Sequence, residues 1–250
     1  MNLLQSIKLN QARKVVPILA EIKRIIPKLA DEYGRPRDKR DAGQLAGLYE
    51  AGGAAGISVV TELQHFGGDP EKDIPAVLQA TSLPLLVKDF ILNFDRVDFY
   101  KEITEKLGAG FTGRVTLLLH AHIIRNQLSE MLEYVYSCGM HALVETRGLQ
   151  DLHFLRSLGK RALMIGINNK DIDELEMGED QLRITPDMIT AYREIVGDAL
   201  IISQSAHHNV NHIQCAVDAG ADAVLVGTAL MLSSDPAGMV SSFVRAGGVD

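Results

Sequence analysis

A single (β/α)8 TIM barrel, an α/β fold with a short N-terminal helix, is what the sequence predicts, on three observations. Eight short apolar runs alternate with longer amphipathic stretches, the rhythm of a strand–loop–helix–loop unit. The runs are apolar on both faces, which suits strands of a parallel sheet covered by helices. The chain has 250 residues, the length of one such barrel. No linker or low-complexity tract interrupts the pattern, so residues 1–250 read as one domain.

The elements follow in order. Residues 3–14 read as a helix ahead of the first run, 15–20. Segment 26–40 then breaks the rhythm: it is polar and carries Pro27 and Pro36. In a barrel it is the first loop on the catalytic face, expected to be a solvated charged loop or a lid. Asp41 caps a helix that Gly52 and Gly53 stop. Runs 57–60, 83–87 and 115–119 come next. Residues 127–137 repeat leucine, methionine and tyrosine at helical spacing and end at Cys138-Gly139. Runs 142–144, 162–167 and 199–202 follow. Residues 210–219 form another such helix, closed by Gly220, before the last run, 223–226. Glycine breaks precede three runs, at Gly53 to Gly56, at Gly159-Lys160 and at Gly220-Ala221.

The net charge of −7 argues against a general nucleic-acid binder, whose surface must replace phosphate counterions with cations. One local cationic pocket stays compatible with it. The apolar runs are far too short to cross a membrane. Cys138 and Cys215 make no metal-ligand spacing, and no secretory leader is recognisable. They are expected to be reduced thiols in a cytoplasmic protein.

Barrel interiors favour branched aliphatics, so polar groups at strand ends are the informative exceptions. The first run continues into Glu21 and Lys23, which share a face at the strand period of two. The second holds Ser58 and ends in Thr61-Glu62. The third ends in Lys88-Asp89-Phe90, the fifth in Glu145, the sixth in Asn168-Asn169-Lys170-Asp171, the seventh in Gln204-Ser205 and the eighth in Gly227-Thr228. Any one of these fits a salt bridge in a polar layer. Together they converge on one mouth. Two lysines and two glutamates there can shift one another's proton affinity and act as general acids and bases. The small residues Ser205, Ala206, Gly227 and Thr228 lie where barrel loops offer backbone N–H groups to a phosphate, and Lys23 adds charge.

Six blocks carry a resemblance: Ile18-Leu-Ala-Glu-Ile-Lys-Arg24, Ile57-Ser-Val-Val-Thr-Glu62, Val87-Lys-Asp-Phe90, Leu143-Val-Glu145, Ile165-Gly-Ile-Asn-Asn-Lys-Asp171 and Val224-Leu-Val-Gly-Thr-Ala-Leu-Met231. In this order and on these strands, over residues 15–240, the chain resembles the indole-3-glycerol phosphate synthases. The resemblance implies a carboxy-lyase of tryptophan biosynthesis that needs no metal or organic cofactor. Its substrate would be a phosphorylated arylamino sugar, a carboxyphenylamino-deoxyribulose phosphate, whose indole ring closes with loss of carbon dioxide and water. Lys88 would be the general acid for ring closure, and Lys23 with Glu145 the acid/base pair for dehydration. Glu21 and Asn168 would position these groups, with Gln204 in the same ring. Phe66 and Phe90 would sandwich the aromatic ring, with Ser58 and Lys170 also on the substrate. Lys23, Ser205, Ala206, Gly227 and Thr228 would hold the phosphate.

Four departures accompany the match. Where the family reads Glu-Ser-Gly-Ile after strand 7, this chain has Gln204-Ser205-Ala206-His207; glutamine cannot hold a negative charge, and Ala206 adds a methyl where glycine lets backbone approach phosphate. Ile26 replaces a serine of the carboxylate corner. Lys170 replaces an arginine, which is not conservative at a bidentate site. The segment before strand 1 is short. The pair His207-His208 is new, and is expected to face solvent; the alternative is that His207 meets phosphate or takes over acid/base work. Two other readings therefore stay open: a paralogue acting on a related arylamino sugar phosphate, and a phosphate-binding barrel that has lost catalysis.

Overall fold

In the computed structural model, which describes residues 1–29, 38–158, 161–170 and 181–247, eight parallel strands close into a barrel in sequence order. They are β1 (Ile18–Ile22), β2 (Gly56–Val60), β3 (Leu85–Lys88), β4 (Val115–His120), β5 (His141–Thr146), β6 (Met164–Asn168), β7 (Leu200–Gln204) and β8 (Ala223–Val226), with β8 pairing back onto β1. Helices such as Ala42–Ala51, Leu128–Ser137 and Val210–Asp218 flank them, the first capped by Asp41 as predicted. Among the described residues no helix is long and apolar enough to cross a membrane.

Several strands differ from the predicted runs. β1 begins at Ile18 because Pro17, lacking an N–H, cannot donate to a ladder. β4, β5, β6 and β7 run on into His120, Thr146, Asn168 and Gln204. Their backbones keep pairing where their side chains turn polar: His120 lies opposite Glu145, and Asn168 opposite Gln204. Hydrophobicity marks where the aliphatic core ends, not where the ladder does.

The strand period of two sorts side chains into two populations. Ile18, Ala20, Ile57, Val59, Leu85, Val87, Val144, Ile165 and Val226 pack outward against the helices. Leu19, Leu86, Leu118, Leu143, Met164, Ile202 and Leu225 fill the barrel. Leu3 and Ile7 of the N-terminal helix Leu3–Ala12 join this inner cluster. Ser6 Oγ donates to the Ala55 carbonyl just before β2, so the helix closes the end where strands begin. A Cβ at Gly56 would lie 2.9 Å from a Leu3 methyl. The helix thus sits under the barrel. The centre of segment 26–40, the Gly159-Lys160 break and Asp171 lie outside the described residues, and so does the lid expectation for that segment.

Candidate active site

Two residues beyond the aliphatic layer, the same inward-facing positions turn polar. Glu21 on β1 sits between two ammonium groups, Oε1 being 3.2 Å from Lys23 Nζ and Oε2 3.2 Å from Lys88 Nζ. All three side chains are buried. A Cβ at Gly227 would stand 2.4 Å from Glu21 Oε1, so glycine at that position makes room for the carboxylate. Lysines two strands apart are thereby held on one counter-ion.

Across the mouth, Glu145 on β5 meets His120 on β4, with Oε1 3.0 Å from Nδ1. Burial by itself would raise the proton affinity of Glu145. The His120 imidazole and the Lys88 ammonium, with the Asn168 amide nearby, outweigh it and hold the carboxyl below the usual glutamate range. Lys23, Lys88 and Glu145 therefore face one end of the barrel, as the sequence required. His120 was missed there. Its signal was available: the fourth run reads Leu117-Leu-Leu-His120, an ionisable group at a strand end like the others.

Two cavities meet at Lys23. The first, about 310 Å³, is walled mainly by Lys23, Val60, Phe66, Lys88, Phe90 and His120. The loop after β2 presents Phe66: Glu62 accepts from the backbone N–H groups of Gln64, His65 and Phe66 at 2.8, 2.7 and 3.0 Å. Those donors outweigh burial and keep Glu62 below the usual carboxylate range. Gly68 closes this loop against Thr61, whose backbone would meet a Cβ at 2.3 Å. Lys23 Nζ lies 5.3 Å from the Phe66 ring centre, within cation–π range. Behind Lys88, the Tyr100 hydroxyl donates to Asp89 at 2.7 Å and meets Thr61 Oγ1 at 2.7 Å, fixing the ends of β2 and β3.

The second cavity, about 320 Å³, brings together Lys23, Lys170, Ser205, Ala206, Gly227 and Thr228. Every residue expected at the phosphate lines it. Ser205 and Ala206 both have left-handed backbones, φ 63° and 64°. Glycine is tolerated there freely, whereas alanine costs roughly 1 kcal/mol. Ala206→Gly should therefore raise stability by about 0.5–1 kcal/mol, read from urea midpoints; an unchanged or lower midpoint would mean the backbone is not strained.

The expectation of solvent-facing histidines is overturned for His207, which is 3% exposed. Its Nε2 lies 3.1 Å from Ser203 Oγ, so the short turn folds the ring back against β7. Burial, with lesser repulsion from His212 and His208, pushes the imidazole down to about 3. A neutral ring at pH 7 is a poor phosphate ligand. The unfolded ring binds a proton near 6.5 and the folded one only near 3. Stability is thus full above about pH 6.5 and is lost as pH falls towards 3. Between pH 7 and 5 this amounts to about 2 kcal/mol, and that part of the decline should vanish in His207→Gln. Parallel curves for the two proteins would refute a buried neutral ring.

The remaining expected residues are placed less openly. Gln204 is fully buried, and neither side-chain polar atom has a hydrogen-bond partner among the described residues. Its Nε2 would lie 1.8 Å from a Cβ at Gly166, so that glycine is what admits it. Asn168 Oδ1 accepts from the Lys170 backbone N–H at 3.0 Å. Ser58 is fully buried one inward position below Val60 and lines neither cavity. The strand period puts its short hydroxyl one step deeper along β2 than Val60, which does line the first cavity. Ile26 is half-buried and packs against the core, making that corner apolar.

Comparison with known proteins bears on this arrangement. A protein-family model described as Indole-3-glycerol phosphate synthase matches residues 3–243. A protein of that name from Pyrococcus furiosus is 33% identical over 230 residues, covering 92% of each chain. One from Mycolicibacterium gilvum is 34% identical over 233 residues, covering 93% of this chain and 78% of the relative. A third, from Carboxydothermus hydrogenoformans, is 32% identical over 237 residues, covering 94% and 82%.

Proposed function

Because this chain belongs to the indole-3-glycerol phosphate synthase family, we propose that it performs that lyase reaction in tryptophan biosynthesis. A carboxyphenylamino-deoxyribulose phosphate would be its substrate. The observation that carries the reading is the Lys23–Glu21–Lys88 bridge at the junction of an aromatic-walled cavity and a polar one. A molecule with an aryl group at one end and a phosphate at the other spans the two cavities, with its ketone beside the lysines.

Lys88 donates its proton to the ketone oxygen as the aromatic carbon forms the new carbon–carbon bond, offsetting the charge that builds there. The carboxylate leaves as carbon dioxide, and its bonding pair restores aromaticity. This step asks the protein for little beyond a dry, oriented pocket. Lys23 then protonates the departing hydroxyl, and Glu145 accepts the proton that the substrate gives up. Phe66 and Phe90 flank the ring. Ser205, Ala206, Gly227 and Thr228 hold the phosphate, with Lys23 and Lys170 supplying charge. Gln204 provides an amide where relatives use a carboxylate, and Ile26 makes the carboxylate corner less polar. The change at Ile26 weakens the hold on the substrate's carboxylate, whereas the amide of Gln204 withholds from the neighbouring lysines the negative charge a glutamate would give them.

The test is direct. Purified protein given this substrate should develop indole fluorescence and release one carbon dioxide per indole. Tight binding of the substrate with neither product would overturn the reading.

A further inference from the structure

His120 has no part in the scheme above, yet it lies inside the site. The register of β4 on β5 sets it directly beside Glu145. Its ring is 4% exposed, forms part of the wall of the aromatic cavity and lies 5.3 Å from the Phe90 ring, tilted 31°. Its Nδ1 is 3.0 Å from Glu145 Oε1. An ionised carboxylate can only accept, so a hydrogen on Nδ1 is the one that serves this contact, which the two groups make by proximity and not by an aligned hydrogen bond. In an apolar wall a carboxylate held by lysine alone is free to rotate towards it. A ring fixed between strand and Phe90 removes that freedom.

We propose that His120 is a positioning residue for Glu145, so that the base of this enzyme is a His120–Glu145 dyad rather than a lone carboxylate. The proposal rests on Glu145 acting as the base in the reaction above. The other charged groups around the dyad come from several elements. Lys88 and Asp89 end β3, Glu21 and Lys23 end β1, Glu62 follows β2, and Lys170 follows β6. His122 follows β4, its ring 6.2 Å from that of His120 and its Nδ1 4.0 Å from Asp151. Of these, Lys88 is the one that acts on Glu145 beside His120. Removing His120 leaves Lys88 in place, so Glu145 should bind its proton more readily than in the native protein, with the ammonium still opposing the neutral form.

Two variants separate positioning from packing. His120→Phe keeps the ring against Phe90 and deletes the ring nitrogens. His120→Asn restores an N–H near the Nδ1 position without the imidazole. For His120→Phe we expect kcat to fall about 10-fold with KM changed less than about threefold, and the acidic limb of the pH–rate profile to move upward. His120→Asn should regain most of the rate while its acidic limb stays raised. The Glu145 carboxyl carbon resonance, assigned by its loss in Glu145→Gln, gives a readout in protein without substrate. Its midpoint should rise in both variants. A rate loss in His120→Phe with an unmoved midpoint, or full rate in that variant, overturns the proposal. If the native protein makes no indole, the proposed reaction fails, and the carbon titration alone still decides whether the dyad exists.

Discussion

Lys88→Ala should lower kcat by at least about 1,000-fold while the barrel stays folded. The ammonium is asked to do two things at once: to donate a proton to the ketone and to offset the oxyanion before the proton arrives. General acids are worth about 100- to 10,000-fold and preformed charge stabilisation about 100- to 1,000-fold. The two overlap here in one group. The fold tolerates the change because Glu21 keeps Lys23 at 3.2 Å and Glu145 keeps His120 at 3.0 Å. Neither carboxylate is left as an isolated buried charge. Single-turnover indole formation measures the loss, and a thermal melt checks the fold. Retention of a tenth of the native rate by a well-folded Lys88→Ala protein would place the acid elsewhere.

Glu21→Gln should act on stability and rate together. The substitution is nearly isosteric, so the tight fit against Gly227 is preserved. What it removes is the negative charge between two buried ammonium groups. Breaking a buried ion pair by deleting one partner costs about 3–5 kcal/mol, and here one deletion exposes two partners. We expect about 3 kcal/mol lower unfolding free energy at pH 7 and a kcat reduced by roughly 100-fold as the lysines shift apart. The deficit has a pH signature. Lysines that lose this shared counter-ion shed their protons more easily folded than unfolded, so the gap between variant and native protein narrows as pH rises from 7 to 10. A gap that stays constant over that range would show that the loss is packing, not charge.

How much of this was legible beforehand depended on which physical signal each residue leaves in the sequence. The barrel was legible because a parallel strand covered on both sides must be apolar on both sides, and eight such runs leave few alternatives. Glu21, Lys23, Lys88 and Glu145 were legible because charge is conspicuous in an aliphatic strand. His120 carries the same signal and was passed over, since the fourth run was ended at Leu119. Ser58 was placed on the substrate by the resemblance. Only the depth of its position along β2 shows that it lies a layer below the cavity. His207 was read as solvated because adjacent histidines in a loop usually are. Its burial comes from the left-handed turn at Ser205 and Ala206, which sends the next residue back onto β7, and no periodicity announces a turn of that kind. The glycines at 166 and 227 read as backbone features, whereas their structural meaning is the space they leave for Gln204 and Glu21.

The helix under the barrel has one further consequence. With Leu3 and Ile7 packed into the aliphatic cluster, the end of the barrel where the strands begin is plugged among the described residues. The reactant of the proposed reaction would then arrive, and its products depart, on the side where Glu21, Lys23 and Lys88 meet.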